Sequence, residues 1–271
     1  MTLRPKIRVG AVNYLNTKPL VYGLDERAPG VDVVFDLPSR LADRLAAGEL
    51  DVALIPSIEA FHGPDYRIVS DAAIACRGPV LSVKMFSRVP AAKIRTLALD
   101  EGSRTSIALL RILLQERFAL QPELQSLPIG SSLGESDADA VLLIGDRAMH
   151  SPTGDFVEVW DLGDEWCRWA ELPFVFAMWT ARAGVEIGDL ELALSDARDD
   201  GVAHLEEIAR EEAAPLGLTQ PQCVSYLRDN LYFVLGPREQ QGLSLFYRHA
   251  TQMQLAPEGV DLGFDACQSA R

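Results

Sequence analysis

The chain has 271 residues, 48% of them hydrophobic, enough to bury a full core in one large domain or two small ones. A formal net charge of -14 argues against nucleic acid or an anionic membrane surface as partner, because both are held by clustered Lys and Arg. No run approaches the length of a membrane span and the N-terminus shows no apolar signal region, while Cys76, Cys167, Cys223 and Cys267 form no C-x-x-C pair, so reduced thiols and a cytoplasmic location are expected.

A strand over 7–12 runs into Asn13, Tyr14, Leu15, Asn16, Thr17, Lys18 and Pro19. Asn13, Tyr14, Asn16 and Thr17 are predicted to lie in a loop, with Pro19 in the first turn of the helix behind it. In open α/β sheets this strand end is where ligands sit, beside N–H groups that a helix start leaves unpaired. A cap accounts for Asn16 or Thr17 singly but not for the whole polar cluster. A strand follows at 31–35, then a helix over 38–48 with Ser39 as cap, Leu41 and Leu45 on one face, and Gly48 as its stop. The strand at 51–55 halts at Pro56, and Ser57 is expected to cap the next helix with its hydroxyl above the strand ends.

Residues 80–87 form an extended run that alternates around Ser82 and Lys84. The strand–helix rhythm then restarts with a strand at 95–99, a turn through Gly102, Ser103, Arg104, Thr105 and Ser106, and a helix over 107–118 that buries Leu110, Leu113 and Leu114. A strand at 140–144 ends at Gly145 and Asp146, and a second extended run covers 172–181. The last third is helix-rich, and its acidic stretches at 189–200 and 206–212 read as solvated helix faces.

The alternation is that of an α/β protein. Because the two extended runs bracket a self-contained unit, one domain is expected to be inserted into another. Residues 1–86 and 177–271 then make a discontinuous first lobe and 87–176 an inserted second lobe, with a cleft at the hinge. Five loops are expected to converge there: 13–17, Ser57, Ser82 with Lys84, 103–106, and Gly145 with Asp146. Nearly all offer neutral hydrogen-bonding groups. The turn at 103–106 reads as an anion site at a helix start, against the plainer reading of a capped helix with an exposed Arg104. Asp146 either orients a ligand hydroxyl or caps the turn behind it. Of Trp166, Trp169, Phe174, Phe176 and Trp179, one or two are expected to wall a ring-shaped ligand and the rest to be core.

Other motifs fail. Gly130-Ser131-Ser132-Leu133-Gly134 fits G-x-S-x-G but runs quickly into a strand instead of a nucleophile-bearing helix, so it is read as a loop. His62, His150, His204 and His249 lack metal-ligand spacing, and there is neither a P-loop nor a dinucleotide fingerprint, so no metal or other cofactor is expected.

The order of elements resembles the type 2 periplasmic-binding-protein fold: α/β, two-lobed, with mixed sheets flanked by helices, two crossover strands and a central cleft. The local strings resemble the chorismate dehydratase family. They are 12–16 with Pro19 and Leu20, 48–53, 78–82, 103–106, 141–146 and 172–177, which together span most of residues 7–182. The resemblance implies conversion of chorismate to 3-[(1-carboxyvinyl)oxy]benzoate and water, the first step of the futalosine route to menaquinone. It implies catalytic roles for Asn16 and Ser82. The substrate contacts expected beside them are Tyr14, Thr17, Ser57, Ser103, Arg104, Thr105, Ser106, Gly145, Asp146 and Phe174, with Thr105 and Ser106 aimed at the ring carboxylate. Neither Asn16 nor Ser82 is a base near neutral pH, and the loops offer only Asp146 as a carboxylate. The family's mechanism uses the substrate's own enolpyruvyl carboxylate, which Asn16 and Ser82 would hold in a reactive pose.

Three other readings stand beside this one. A solute-binding protein for a small organic anion shares the fold, but an export signal and a lipoprotein cysteine are missing. The sister family that makes dihydroxynaphthoate looks to a catalytic histidine in the cleft, and none of the five loops holds one. A ligand-sensing regulatory domain lacks a DNA-binding segment to regulate.

Overall fold

The computed structural model describes residues 6–63, 65–150 and 154–264; Cys267 lies outside them. The strands are β1 (Ile7–Val12), β2 (Val31–Asp36), β3 (Val52–Pro56), β4 (Arg67–Cys76), β5 (Val83–Ser87), β6 (Thr96–Asp100), β7 (Glu123–Leu127), β8 (Ala140–Ile144), β9 (Glu158–Asp161), β10 (Phe174–Ala181) and β11 (Tyr232–Val234). They form a six-stranded sheet in the order β11-β4-β10-β3-β1-β2 and a five-stranded sheet in the order β7-β6-β8-β5-β9. Both are mixed. β1 runs parallel to β2 and β3, while β10 enters antiparallel between β3 and β4. β6 runs parallel to β7 and β8, whereas β5 opposes both of its neighbours.

Every residue of β3, β8 and β10 is buried, the consequence of helices covering both faces and the reason these strands read as continuous apolar runs. β4 carries no comparable signal in the sequence. Its inner half, Ala72, Ala73, Ile74, Ala75 and Cys76, is mostly small residues with little preference for extended structure, yet tertiary packing buries all five. β7, β9 and β11 were equally illegible.

The chain passes between the sheets at 77–82 and again between Asp161 and Phe174. The first link is shorter than the extended run expected to cross at 80–88, the second is taken up mostly by the helix Leu162–Ala170 and not by the run expected at 172–181, and β5 and β10 each lie wholly in one sheet. The first link is broken by Pro79, which has no N–H to pair, and by Leu81, whose φ of 60° is left-handed. Sheet membership therefore changes a few residues away from positions 86 and 176.

The helix Arg104–Phe118 begins three residues before the expected start, because Ser103 caps it by accepting from the Ser106 N–H. Leu109, Leu110, Ile112, Leu113 and Leu114 have no exposed surface, so this helix is buried round most of its circumference. It packs on β10 and on the helices Leu162–Ala170 and Pro237–Gln252. At about 1.5–3 kcal/mol per buried leucine, it is a main source of cohesion between the two halves. The largest apolar cluster runs through both sheets without interruption. Among the described residues no helix is long and apolar enough to cross a membrane, and Cys76, Cys167 and Cys223 are free thiols.

Candidate active site

Strand register builds the site. Ala177 of β10 stands opposite Pro56 of β3 on one side and Ile74 of β4 on the other, so three neighbouring strands lay one row across the mouth of the six-stranded sheet. Facing it, Val83 of β5 pairs with Ile144 of β8, and the ladder continues one step as the Gly145 N–H donates to the Ser82 carbonyl at 2.9 Å. These residues border a single cleft, open to solvent, that is completed by Val12, Pro38, Val80 and Phe176. Its polar groups come from Tyr14, Asn16, Ser82, Ser103 and Ser106, and among the described residues no carboxylate, lysine, arginine or histidine lines it.

Asn16 and Thr17 do not lie in an open loop. β1 leads almost directly into the 3-10 helix Leu15–Val21, opened by the Thr17 N–H donating to the Tyr14 carbonyl at 3.1 Å. This tight turn sets Asn16 at the cavity and buries Thr17, whose hydroxyl donates to Asn16 Oδ1 at 3.3 Å. Ser82 is delivered by the strained loop before β5. The Asp161 carboxylate fixes that loop by accepting from the Val80 N–H at 2.8 Å and the Leu81 N–H at 2.6 Å. Ser82 Oγ accepts in turn from the Tyr226 hydroxyl at 2.9 Å. Ser103 Oγ accepts from both the N–H and the hydroxyl of Ser106, which leaves the Ser103 proton available to a ligand.

Gly145 has φ 75° and ψ -165°, a region open almost only to glycine. A Cβ there would stand 2.7 Å from Tyr14 Cζ, so the missing side chain is what allows the Tyr14 ring to lie across the gap between the sheets. Burial, with Asp100 adding to it, holds the Tyr14 phenol well above its ordinary range and keeps it a neutral donor.

Six of the expected substrate contacts border no part of the cavity, and each has a structural task. Thr17 orients Asn16. The Ser57 hydroxyl donates to the Val175 carbonyl at 2.8 Å; its helix starts at Ser57 itself, so it caps nothing. Thr105 Oγ1 accepts from the Ile58 N–H at 3.1 Å. Arg104 reaches away from the cavity to Asp43 at 2.8 Å and Glu59 at 3.1 Å. Asp146 opens the 3-10 turn Asp146–Met149 and accepts from the Leu15 N–H at 3.2 and 3.3 Å. Phe174 is core, packed edge-on to Trp166, Phe176 and Phe246, and it is Phe176 that borders the cavity. Three of these six, together with the Ser39 N–H to Gly102 carbonyl bond of 3.1 Å, clasp the two halves together. Polar side chains at strand ends are consumed by that closure before any ligand arrives.

The remaining charges near the cavity are also committed. Lys18 pairs with Glu212 at 2.8 Å. Burial lowers the Lys84 ammonium against the opposing pull of Asp161, and Lys84 does not line the cavity. Burial pushes Asp146 up to about 6, reinforced by Glu212, while the Leu15 N–H and Lys18 draw it back. Among the described residues no group of three metal-ligating side chains occurs. His62 bonds the Ile58 carbonyl, His204 stacks on Tyr22 and His249 pairs with Glu116, all away from the cavity. Ser132 of the G-x-S-x-G string caps a short 3-10 turn, as a loop residue does.

Tyr226 and the floor residues Pro56, Ile74 and Ala177 are parts of the site that sequence reasoning did not place, whereas Phe176 is the one of the five aromatic candidates that borders the cavity. For Tyr226 the sequence holds no local signal, since a tyrosine in a helical third reads as core.

A family model described as menaquinone biosynthesis matches residues 7–252. A chorismate dehydratase from Thermus thermophilus is 33% identical over 263 residues, covering 90% of this chain and 94% of that one. Among solved structures, a protein from Archaeoglobus fulgidus superposes with a TM-score of 0.69 at 16% identity, covering 92% of this chain and 98% of its own. An alkanesulfonate-binding protein from Xanthomonas axonopodis pv. citri does so with a TM-score of 0.67 at 13% identity, over 100% of both chains. The periplasmic aliphatic sulphonate binding protein from Escherichia coli reaches 0.60 at 16% identity, over 96% of this chain and 91% of that one. At such identities the structural likeness speaks for the fold alone, which is that of the periplasmic binding proteins. With the family model spanning nearly all of the described residues and the Thermus relative matching over nine-tenths of the chain, this protein belongs to the menaquinone-biosynthesis family.

Proposed function

We propose that the protein is a chorismate dehydratase, a carbon–oxygen hydro-lyase that converts chorismate to 3-[(1-carboxyvinyl)oxy]benzoate and water in the cytoplasm, as the first step of the futalosine route to menaquinone. The observation that carries this reading is a cavity rich in neutral donors and lined, among the described residues, by no acid or base.

The reaction removes the proton from the ring carbon that bears the enolpyruvyl ether. The C–H electron pair becomes a ring double bond, the neighbouring hydroxyl leaves with a proton as water, and the ring becomes aromatic. The departing proton is vinylogous to the ring carboxylate, so negative charge developing in the transition state spreads into that group. Ser103, which caps the helix Arg104–Phe118, supplies a donor for it, because its oxygen accepts both Ser106 donors and its own proton is left for the substrate; Ser106 acts by holding Ser103 in place. Thr105 passes out of this role because it stands outside the cavity lining.

A general base must come within about 2.6–3.2 Å of its proton. The Asp146 carboxylate is turned to the Leu15 N–H and stands outside the cavity lining. Asn16 has no basic atom at neutral pH, and Ser82 is a neutral hydroxyl whose oxygen already accepts from Tyr226. The base is therefore assigned to the substrate's enolpyruvyl carboxylate, which Asn16 and Ser82 hold over the ring proton. Their contribution is orientation, an effect worth several orders of magnitude when a reacting group is fixed in place.

The test is direct. Purified protein is mixed with chorismate, the loss of diene absorbance is followed, and the aromatic enol ether is identified by NMR. Tight chorismate binding without turnover would instead favour a solute-binding protein, the reading suggested by the fold shared with the sulfonate-binding proteins.

A further inference from the structure

Tyr226 opens the π-helical turn Tyr226–Asn230 that follows the helix Gln220–Ser225. A π turn inserts one extra residue into a helix, and here the consecutive residues Tyr226 and Leu227 both face inward, each 1% exposed. The Tyr226 hydroxyl donates to Ser82 Oγ at 2.9 Å, and the Asn16 side chain is close enough to the same phenol to draw its ionisation down against burial. Tyr226 itself borders a different cavity, beside Leu81 and Met149, and so stands behind the wall of the active site.

A serine hydroxyl has one proton and two lone pairs. With a lone pair of Ser82 occupied by Tyr226, its proton is free to point the other way, into the cavity that Ser82 lines. Beside it Thr17 donates to Asn16 Oδ1, which leaves the Asn16 amide N–H groups for a ligand. Two hydrogen bonds, Thr17 to Asn16 and Tyr226 to Ser82, thus back the cavity, and a hydroxyl that accepts in this way becomes a stronger donor. Burial holds the phenol far above its ordinary ionisation range, so it keeps its proton for Ser82 across the physiological pH range.

We propose that Tyr226 is a positioning residue which, without touching substrate, locks Ser82 in the orientation that presents its proton to the substrate's enolpyruvyl carboxylate. The inference rests on the dehydratase reading of the same site.

Steady-state kinetics with chorismate on the wild type, Tyr226→Phe, Ser82→Ala and the double variant test it, with melting curves recorded on all four. Removal of the hydroxyl is expected to lower kcat by about 10- to 100-fold while KM stays within about threefold. In the Ser82→Ala background the same change should cost at least about fivefold less, because the phenol has then lost the hydroxyl it orients. A folded Tyr226→Phe variant with wild-type kcat, or an equal loss in both backgrounds, overturns the proposal and leaves the dehydratase reading standing. A wild type that does not turn chorismate over removes that reading and this inference with it. Should Tyr226→Phe fail to fold, 3-fluorotyrosine at position 226 preserves the ring and strengthens the donor. A kcat altered by about twofold or more then supports the proposal, and an unaltered one overturns it.

Discussion

Replacing Asp146 by asparagine separates a carboxylate that clasps the two halves from one that takes a proton in the reaction. Burial raises Asp146 from its ordinary 3.8 to about 6, so between those pH values the folded chain binds more protons than the unfolded one. Stability from this group therefore falls as pH rises through the window. At about 1.4 kcal/mol per pH unit the loss amounts to about 3 kcal/mol by pH 7. The amide introduced by Asp146→Asn would keep an oxygen for the Leu15 N–H but have no proton to lose. Relative to the wild type, Asp146→Asn should therefore gain about 2.5 kcal/mol between pH 4 and pH 7 in urea unfolding followed at four pH values. Its kcat with chorismate at neutral pH should stay within about threefold of wild type, since no step of the reaction passes through the carboxylate. Parallel stability profiles would refute the electrostatic argument. A loss of kcat of about 100-fold or more would make Asp146 the base and withdraw substrate-assisted proton removal.

Ser82→Ala and Asn16→Ala should each lower kcat by about 100-fold with little change in KM, as removal of a single oriented donor does, read from steady-state rates. Arg104→Gln should leave KM for chorismate within about threefold and cost no more than about 1–2 kcal/mol in urea unfolding, because both of its ion pairs are partly solvated. A KM raised more than tenfold would put the guanidinium on the substrate. Leu113→Ala, on the buried helix between the halves, should destabilise by about 2–5 kcal/mol in the same assay.

Much of the fold was legible because its signals are local. Continuous apolar runs at β3, β8 and β10, with turn residues between them, announce strands covered on both faces. The polar turn after β1 announces a ligand site for the same reason. β4 stayed hidden because four of its last five residues are alanine or cysteine, whose extended conformation is imposed by β10 and β11 on either side.

The site divides along the same line. Asn16, Ser82, Tyr14, Ser103, Ser106 and Gly145 were nominated from their places at strand ends and helix starts, and the structure brings all six to one cavity. Arg104, Thr105 and Asp146 were nominated by the same argument and go elsewhere. A residue at a strand end can serve a ligand or the opposing half of the molecule, and sequence spacing is identical in the two cases. Tyr226 lies 144 positions from Ser82, and no pattern within its own segment points to that partner.

What the sequence determined by itself was the α/β class, the family and the chemical character of the pocket, which is one of neutral donors. Those follow from residue identity and short-range order. The tertiary structure alone decided which donors face the cavity, which are spent on closing it, and which buried phenol stands behind Ser82. Those choices depend on strand register and on contacts between segments far apart in the chain, where a hydrogen bond given to one partner is no longer available to another.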